Sequence, residues 1–544
     1  MFRLLRRILT GLGLFGFVAM LAVAGLVYTG TFTVDKLRLL VKYNPLATSM
    51  QPVQSETAIQ TALLRLKLKS YAIAAMADEF VSGAGAIQPI PGGMLIAERN
   101  GRFHFFDERG VEPKLTATQI SLDTNQVQFE AHAISEGYAI KPGRNVGYAG
   151  LGMRLHDLLL LRDGKRLAAT HTRWDDAAKC VKLHLVIADF TAGDVPKVGP
   201  WQTLFSSTPC MPLSGIKRKP FAGHQAGGRM IEMADGRILF TVGDFKNDGV
   251  RRDITTADPL NSYGKLHVVD PADGVTKIFS TGHRNPQGLV IAEDGRIWST
   301  EHGPVGGDEV NLIRKGADYG WPVATYGRDC GTCVWQQQGR HDGHSLPVLA
   351  YSLSIGISNM IELQDFVPLW DGDLMVASLK QETLHRLHIR EGRVILDEPI
   401  RIGDRLRDIQ MLEDGRVALW TDSGKLMFLM ADMAPAQSEL LAAKLPEDAQ
   451  DTIEQCRACH DLDPGIAGPG RISLWEVHER AKASLPGGQY SDALKAVGGV
   501  WDDAALDAFL ASPAASIPGT SMAFEGIQDT ALRQTIIDYL KALQ

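Results

Sequence analysis

Glu293-Asp294-Gly295-Arg296-Ile297-Trp298-Ser299-Thr300-Glu301, written EDGRIWSTE, joins a tight turn to a short strand. The Asp-Gly step supplies the positive φ of a hairpin loop, and the β-branched and aromatic residues behind it suit a pleated strand. The same unit recurs as PGGMLIAE at 91, RDGKRLAATH at 162, ADGRILFTVGD at 234, WDGDLMVASLK at 370 and EDGRVALWTD at 413. The six units stand at intervals of roughly 40 to 80 residues, which brackets the period of propeller blades with loop insertions. A six-bladed β-propeller over residues 61–435 is therefore expected. Asp-Gly turns occur in any all-β chain, so a pair of sandwiches remains the alternative. The balance is tipped by the chemistry at the strand ends, where His171, Asp244, Glu301, Lys380 and Asp422 stand. A propeller would gather such residues from every blade around one funnel.

The rest of the chain brackets this region with different textures. The N-terminus reads MFRLLRR and then about 25 uncharged residues, long enough to cross a bilayer as a helix and longer than a signal-peptide core. Arg3, Arg6 and Arg7 precede the apolar run, which leaves the N-terminus in the cytoplasm and exports the remainder. Residues 1–32 are thus expected to form a signal anchor or transmembrane helix, with 33–60 as connector. Ala22-Val23-Ala24 fits a cleavage pattern and keeps a removed signal peptide as the alternative, although the apolar run continues past it. Either way the body of the chain is expected in the periplasm, tethered to the cytoplasmic membrane in the first reading. With 56 Lys+Arg against 63 Asp+Glu, net charge −7 and no long basic run past the N-terminus, nucleic acid is an unsuitable partner.

From about Leu440 the pattern becomes helical, and Leu532, Ile536, Ile537, Leu540 and Leu543 give the last segment one apolar face. Residues 434–445 read as a linker and 446–544 as a small all-α domain. Within it lies Cys456-Arg457-Ala458-Cys459-His460. Two thiols at this spacing can form thioethers to both vinyl groups of a haem c, with His460 meeting the iron. A structural zinc site would need two further ligands at comparable spacing, and none follows. Met522, in IPGTSMAF, is the expected distal ligand, with His478 as its rival. That segment, together with Gly468-Pro469, resembles class I cytochromes c. Of the other cysteines, Cys180, Cys210, Cys330 and Cys333 can form disulfides in an exported protein, with the pairing open.

Between residues 281 and 322 the chain reads TGHRNPQGLVIAEDGRIWSTEHGPVGGDEVNLIRKGADYGWP. With GHQAGGRM at 223, LMVASLK at 374 and GDRLRDIQ at 403, this closely resembles the soluble glucose and aldose sugar dehydrogenase family. Its members are six-bladed propellers that use pyrroloquinoline quinone (PQQ). The resemblance implies that Arg284, Asn285, Lys380, Arg405 and Arg407 hold PQQ. It implies too that His224 is the general base, and that the carbonyls of Gly303 and Pro304 bind calcium against the quinone. These residue types fit the chemistry: Arg binds planar carboxylates in bidentate fashion, calcium accepts carbonyl oxygens, and a neutral imidazole can take a hydroxyl proton. Asp308 and Glu309 are expected to shape the loop or bind elsewhere rather than be direct ligands of the ion. The segment from His224 to Arg229 is one residue longer than in the soluble glucose enzyme, and Gly223 replaces an acidic residue that contacts sugar there. PQQ binding is accordingly better supported than glucose as substrate.

The parts combine into a membrane-anchored quinohaemoprotein dehydrogenase that oxidises an aldose-type sugar and passes electrons to its own haem, then to an external cytochrome, cupredoxin or oxidase. The alternatives are a PQQ-dependent alcohol or aldehyde dehydrogenase, a non-catalytic propeller docking module beside a cytochrome, and a calcium-dependent hydrolase that leaves the haem unexplained.

Overall fold

The computed structural model describes residues 53–73, 85–110, 112–137, 153–213, 224–247, 256–328, 335–432, 437–464 and 471–543. The expected anchor at 1–32, most of the connector, Gly223, Cys330, Cys333 and Gly468-Pro469 lie outside the described residues. Among the described residues no helix is long and apolar enough to cross a membrane.

Six antiparallel sheets form six blades, and each blade begins with its innermost strand. These strands are Gly85–Ile90, Leu155–Leu160, Gly227–Glu232, Pro286–Ile291, Ile357–Glu362 and Leu406–Met411. Each packs beside the next, and the last touches the first, so the ring closes. Every one of the six turns found in the sequence connects an innermost strand to the second strand of its blade. The turn requires a left-handed residue, and Gly295 at φ 81° shows why glycine stands there. Because the second strand runs back, its end meets the start of the innermost strand on one face of the ring. That face is the mouth of the funnel.

The closing blade joins the two ends of the propeller segment. Leu406–Met411, Val417–Thr421 and Lys425–Ala431 continue into Arg65–Ala72 and then Val53–Gln60, with Leu68 opposite Leu429 and Thr57. The propeller thus starts at Val53, and the strand Val53–Gln60 belongs to its last blade rather than to a connector. Apolar side chains fill the wedges between blades. Tyr71 meets Phe106 and Phe428 edge-on between the closing and first blades, with the Tyr71 and Phe106 rings 5.0 Å apart. Trp298 packs with Ile357, Met360 and Val376 between the fourth and fifth.

The axis is polar. Asp157, Arg229, Asn359 and Asp408, each third in its innermost strand, meet there, and five of the six strands carry a register shift near their start. Arg229 Nη1 donates to Asp157 Oδ1 at 2.7 Å and Asp408 Oδ1 at 2.8 Å, and its Nε donates to the Gln287 carbonyl at 3.1 Å. Asn359 Nδ2 and the Ile87 backbone N–H also donate to Asp408, at 2.7 Å and 3.0 Å. One network therefore ties all six blades together. Burial and the Asp408 charge push Asp157 up to about 7 despite Arg229, as expected when one guanidinium faces two carboxyl groups.

The helical domain has its own core, with Ile453, Leu506, Phe509, Ile536, Ile537 and Leu540 buried. Asp502 and Asp529 cap two of its helices, Asp503–Ala511 and Thr530–Ala542, by accepting backbone N–H groups. The helix Gln437–Ala442 also packs here through Leu441 and Ala442, so the domain begins ahead of residue 446 and the 434–445 segment is more than a linker. In the second blade Cys180 and Cys210 form a disulfide, which resolves the pairing of those two.

Candidate active site and haem site

Strand starts and second-strand ends bring cations from several blades to the mouth. Arg405 and Arg407 both clamp Asp422, with Nε to carboxylate distances of 2.9 Å each. Burial alone would raise Asp422, but the two guanidinium groups hold it below the usual range. Arg405 Nη1 also donates to the Leu379 carbonyl, which sets it beside the exposed Lys380. Arg284 lies over the Trp321 ring at 5.2 Å and donates from Nη1 to the carbonyls of His302 at 3.0 Å and Gly303 at 2.8 Å. Asn285 Oδ1 accepts from the Gly227 N–H at 3.2 Å, fastening the fourth blade to the third beside His224.

Four mouth residues escaped the sequence reading. Arg99 follows the second strand of the first blade, and Arg154 and His156 stand at the start of the second blade. Burial first, then the Arg407 charge, pulls Arg99 down to about 10; burial, Arg407 and Arg99 pull Arg154 to about 9. His302 sits under the same field and is lowered to about 4, chiefly by burial. Arg154, His156, Gly227, Arg229 and Arg407 line one small axial pocket.

His224 is half-buried just before the innermost strand of the third blade. Burial, then the charges of Lys246, Arg154 and Arg99, lower it to about 3, so its ring is neutral at ordinary pH and able to accept a proton. The next residue, Gln225, has φ 60°, a left-handed conformation that costs energy outside glycine and fixes the direction of the chain. With its amide turned to suit its neighbours, Gln225 donates to Asp244 at 2.7 Å and accepts from Arg284 at 2.6 Å. Asp244 in turn accepts from the Trp321 indole at 2.9 Å. The bulge at Gly227–Met230 delivers Arg229 to the axis.

Gly303 and Pro304, the expected calcium carbonyls, lie on the loop after Glu301. The Gly303 carbonyl already accepts from Arg284. Asp308 shapes this loop as expected, accepting from the N–H groups of Gly303, Gly356 and Ile357 and from the Ser354 hydroxyl. Among the described residues no group of three His, Cys, Asp or Glu side chains is placed to hold a metal ion.

Acid sensitivity follows from the buried rings. His171, His184, His224, His267 and His302 are lowered to between about 3 and 4, mainly by burial. Between those values and the unfolded value near 6.5 the unfolded chain binds more protons, so stability is lost as pH falls through that window. Asp157, raised to about 7, and Glu309, raised to about 8, act in the opposite sense, but they are two groups against at least six, since burial also holds His156 well below its ordinary value. The urea midpoint is expected to be lower at pH 5 than at pH 7.

In the helical domain Cys456 and Cys459 lie one turn apart at the end of the helix Glu447–Cys459, so both thiols face the same side. Both are free thiols. The chain turns extended at His460, whose Nδ1–H donates to the Ile472 carbonyl at 3.0 Å and leaves Nε2 for a metal. Arg471 closes the end of this helix, donating to the carbonyls of Arg457, Ala458 and His460 and to Asp461. Met522 is half-buried and packs on the helical core with Phe524. The His478 ring is turned to Asp503 at 2.8 Å. The residues present suit a covalently held haem with one imidazole ligand.

Residues 213–428 match the Glucose / Sorbosone dehydrogenase family model. The aldose sugar dehydrogenase YliI of Escherichia coli is 28% identical over 254 residues, covering 43% of this chain and 65% of that protein. A cytochrome c homolog of Rickettsia felis is 38% identical over 114 residues, 20% of this chain and 64% of that protein. This chain therefore spans about two thirds of the length of each of these relatives. The structure of the soluble aldose sugar dehydrogenase of Escherichia coli in its apo form superposes with a TM-score of 0.52 at 21% identity, covering 70% of this chain and 100% of that one, a likeness of fold. The chain is thus an aldose sugar dehydrogenase-like propeller joined to a cytochrome c-like domain.

Among the residues expected from sequence, Arg405 and Arg407 meet on Asp422, Arg284 and Asn285 stand together beside the His224 segment, and Lys380 adjoins Arg405. Cys456, Cys459, His460 and Met522 belong to the helical domain. The overlooked Arg99 and His302 each follow directly on a second strand, the position that drew notice to Lys380 and Asp422. Arg154 precedes an innermost strand as Arg284 does.

Proposed function

We propose that this chain is a periplasmic, membrane-anchored quinohaemoprotein that oxidises a sugar hydroxyl and delivers the electrons to its own haem c. The observation that carries this reading is a cationic mouth fed by several blades, with a neutral histidine beside it, in a chain that also bears CRACH. Partly buried guanidinium groups with like charges as neighbours suit a polyanion, and PQQ carries three carboxylates. Arg284, Asn285, Lys380, Arg405 and Arg407 would hold it. When bound, PQQ supplies a two-electron acceptor and haem a one-electron acceptor. His224 takes the substrate hydroxyl proton at a ring nitrogen, held in place by the Gln225 backbone and the Asp244–Trp321 pair. Calcium is proposed at Gly303 and Pro304 on the resemblance, with backbone oxygens as the donors these residues offer. Tethering the cytochrome keeps the electron acceptor at high effective concentration. Electrons would leave to an external cytochrome, cupredoxin or oxidase.

The test is optical. Full-length protein is loaded with PQQ and calcium, aldoses, aldehydes and alcohols are added in turn, and the haem absorption is followed. Reduction that needs both PQQ and one substrate class supports the reading; absence of PQQ binding in a titration sinks it and favours a docking module. Met522→Ala is expected to leave PQQ binding intact while lowering the haem potential, because a soft thioether favours the reduced iron. A redox titration of the variant checks this.

A further inference from the structure

This fold pairs its guanidinium groups with carboxylates. The buried Arg229 has Asp157 and Asp408, the buried Arg386 has Asp373 and Glu398, and the more exposed Arg405 and Arg407 share Asp422. Arg284, Arg99 and Arg154 break the pattern, and of these Arg284 reaches the carbonyls of His302 and Gly303. Arg99 is 6% exposed, yet among the described residues its Nε and Nη2 have no hydrogen-bond partner, and neither has the buried Nε of Arg154. The acidic group whose charge reaches Arg99, Glu130, is instead engaged by Gln126 Nε2 at 2.8 Å. Buried donors are normally satisfied, and an unpaired buried charge is costly, so these N–H groups await an anion.

The charge balance says which anion. Arg284, Lys380 and the Arg405–Arg407–Asp422 group carry a net charge of about three, which matches the three carboxylates of PQQ. Lys246 and Asp244 cancel, and the divalent ion proposed at Gly303 and Pro304 is offset by the buried carboxylates of Glu301 and Asp308. Arg99 and Arg154 are left over; Arg154 lines the axial pocket together with Gly227 of the His224 segment, and the charges of both arginines reach the ring of His224, the proton acceptor for the substrate. Resting on the dehydrogenase reading above, we infer that Arg99 and Arg154 bind an anionic group on the substrate, so that this site takes an acidic sugar, a hexuronate or aldonate, in preference to a neutral aldose.

The experiment pairs each aldose with its uronic acid, glucose with glucuronate and galactose with galacturonate, on the PQQ- and haem-loaded full chain. Wild type is expected to favour the uronate, and in Arg154→Gln and Arg99→Gln the uronate-to-aldose ratio of kcat/KM is expected to fall about 10- to 100-fold, the scale of a lost charge-assisted hydrogen bond. Arg154→Lys keeps the charge and is expected to recover part of the ratio, which guards against a misfolded Gln variant. Equal rates for aldose and uronate in wild type overturn the inference. So does an unchanged ratio with weakened PQQ binding in Arg154→Gln, which would assign the arginines to the cofactor. Calorimetric titration of the PQQ-free protein with glucuronate separates the two readings. Uronate binding that disappears in Arg154→Gln, with no haem reduction by any sugar, upholds the anion site and removes the dehydrogenase.

Discussion

In a His224→Gln protein loaded with PQQ and haem, substrate-driven haem reduction is expected to drop by about 10²- to 10⁴-fold, the usual contribution of a positioned general base. PQQ should still titrate as in wild type, because the cations of the fourth, fifth and sixth blades hold it without this ring. Glutamine keeps the polarity and most of the volume while removing the basic nitrogen. The lowered value of His224, about 3, adds a second signature. The ring stays neutral across pH 5 to 8, so the wild-type rate should show no acid limb from this residue in that range. Steady-state activity in His224→Gln equal to wild type would remove the base assignment. An acid limb near pH 6.5 would place the ring in a more open setting than its burial implies.

How much of this was legible in the sequence follows from how local each signal is. A hairpin glycine is dictated by its own φ, so all six turns could be read and each marks the joint between first and second strand. Val53–Gln60, read VQSETAIQ, has no such mark. It is a strand because Arg65–Ala72 lies between it and Lys425–Ala431, a pairing that spans some 360 residues and leaves no trace in the local pattern. The site divides in the same way. Lys380 and Asp422 stand out as polar residues ending apolar strands, whereas Arg154 and His156 gain meaning only once the start of an innermost strand is known to open on the mouth. Arg229 was visible as part of GHQAGGRM, but its axial role depends on a bulge that turns it inward and on two carboxylates from other blades.

That axial role sets the largest effect on stability. Arg229→Leu is expected to destabilise the propeller by about 3–5 kcal/mol, the cost of removing one partner from a buried ion pair. The arginine is 8% exposed, and its loss strands Asp157 at 2% and Asp408 at 0% exposure without their cation. Leucine fills much of the space, so the loss reflects charge rather than a void. The pH dependence tests this directly. A carboxyl group whose folded value lies above its unfolded value near 3.9 stabilises the fold where it is protonated and loses that contribution as pH rises through the folded value. Asp157 is already at about 7 with Arg229 present, and removing the cation drives it higher. The deficit of Arg229→Leu relative to wild type should therefore shrink as pH falls from 8 to 6. Replacing Asp157 with Asn in the same chain should recover part of the loss at pH 8, since one stranded charge is then gone. Urea unfolding of wild type, the single variant and the double variant at both pH values gives the answer. A single-variant midpoint equal to wild type at pH 8 would mean that the six blades are held by their apolar wedges alone.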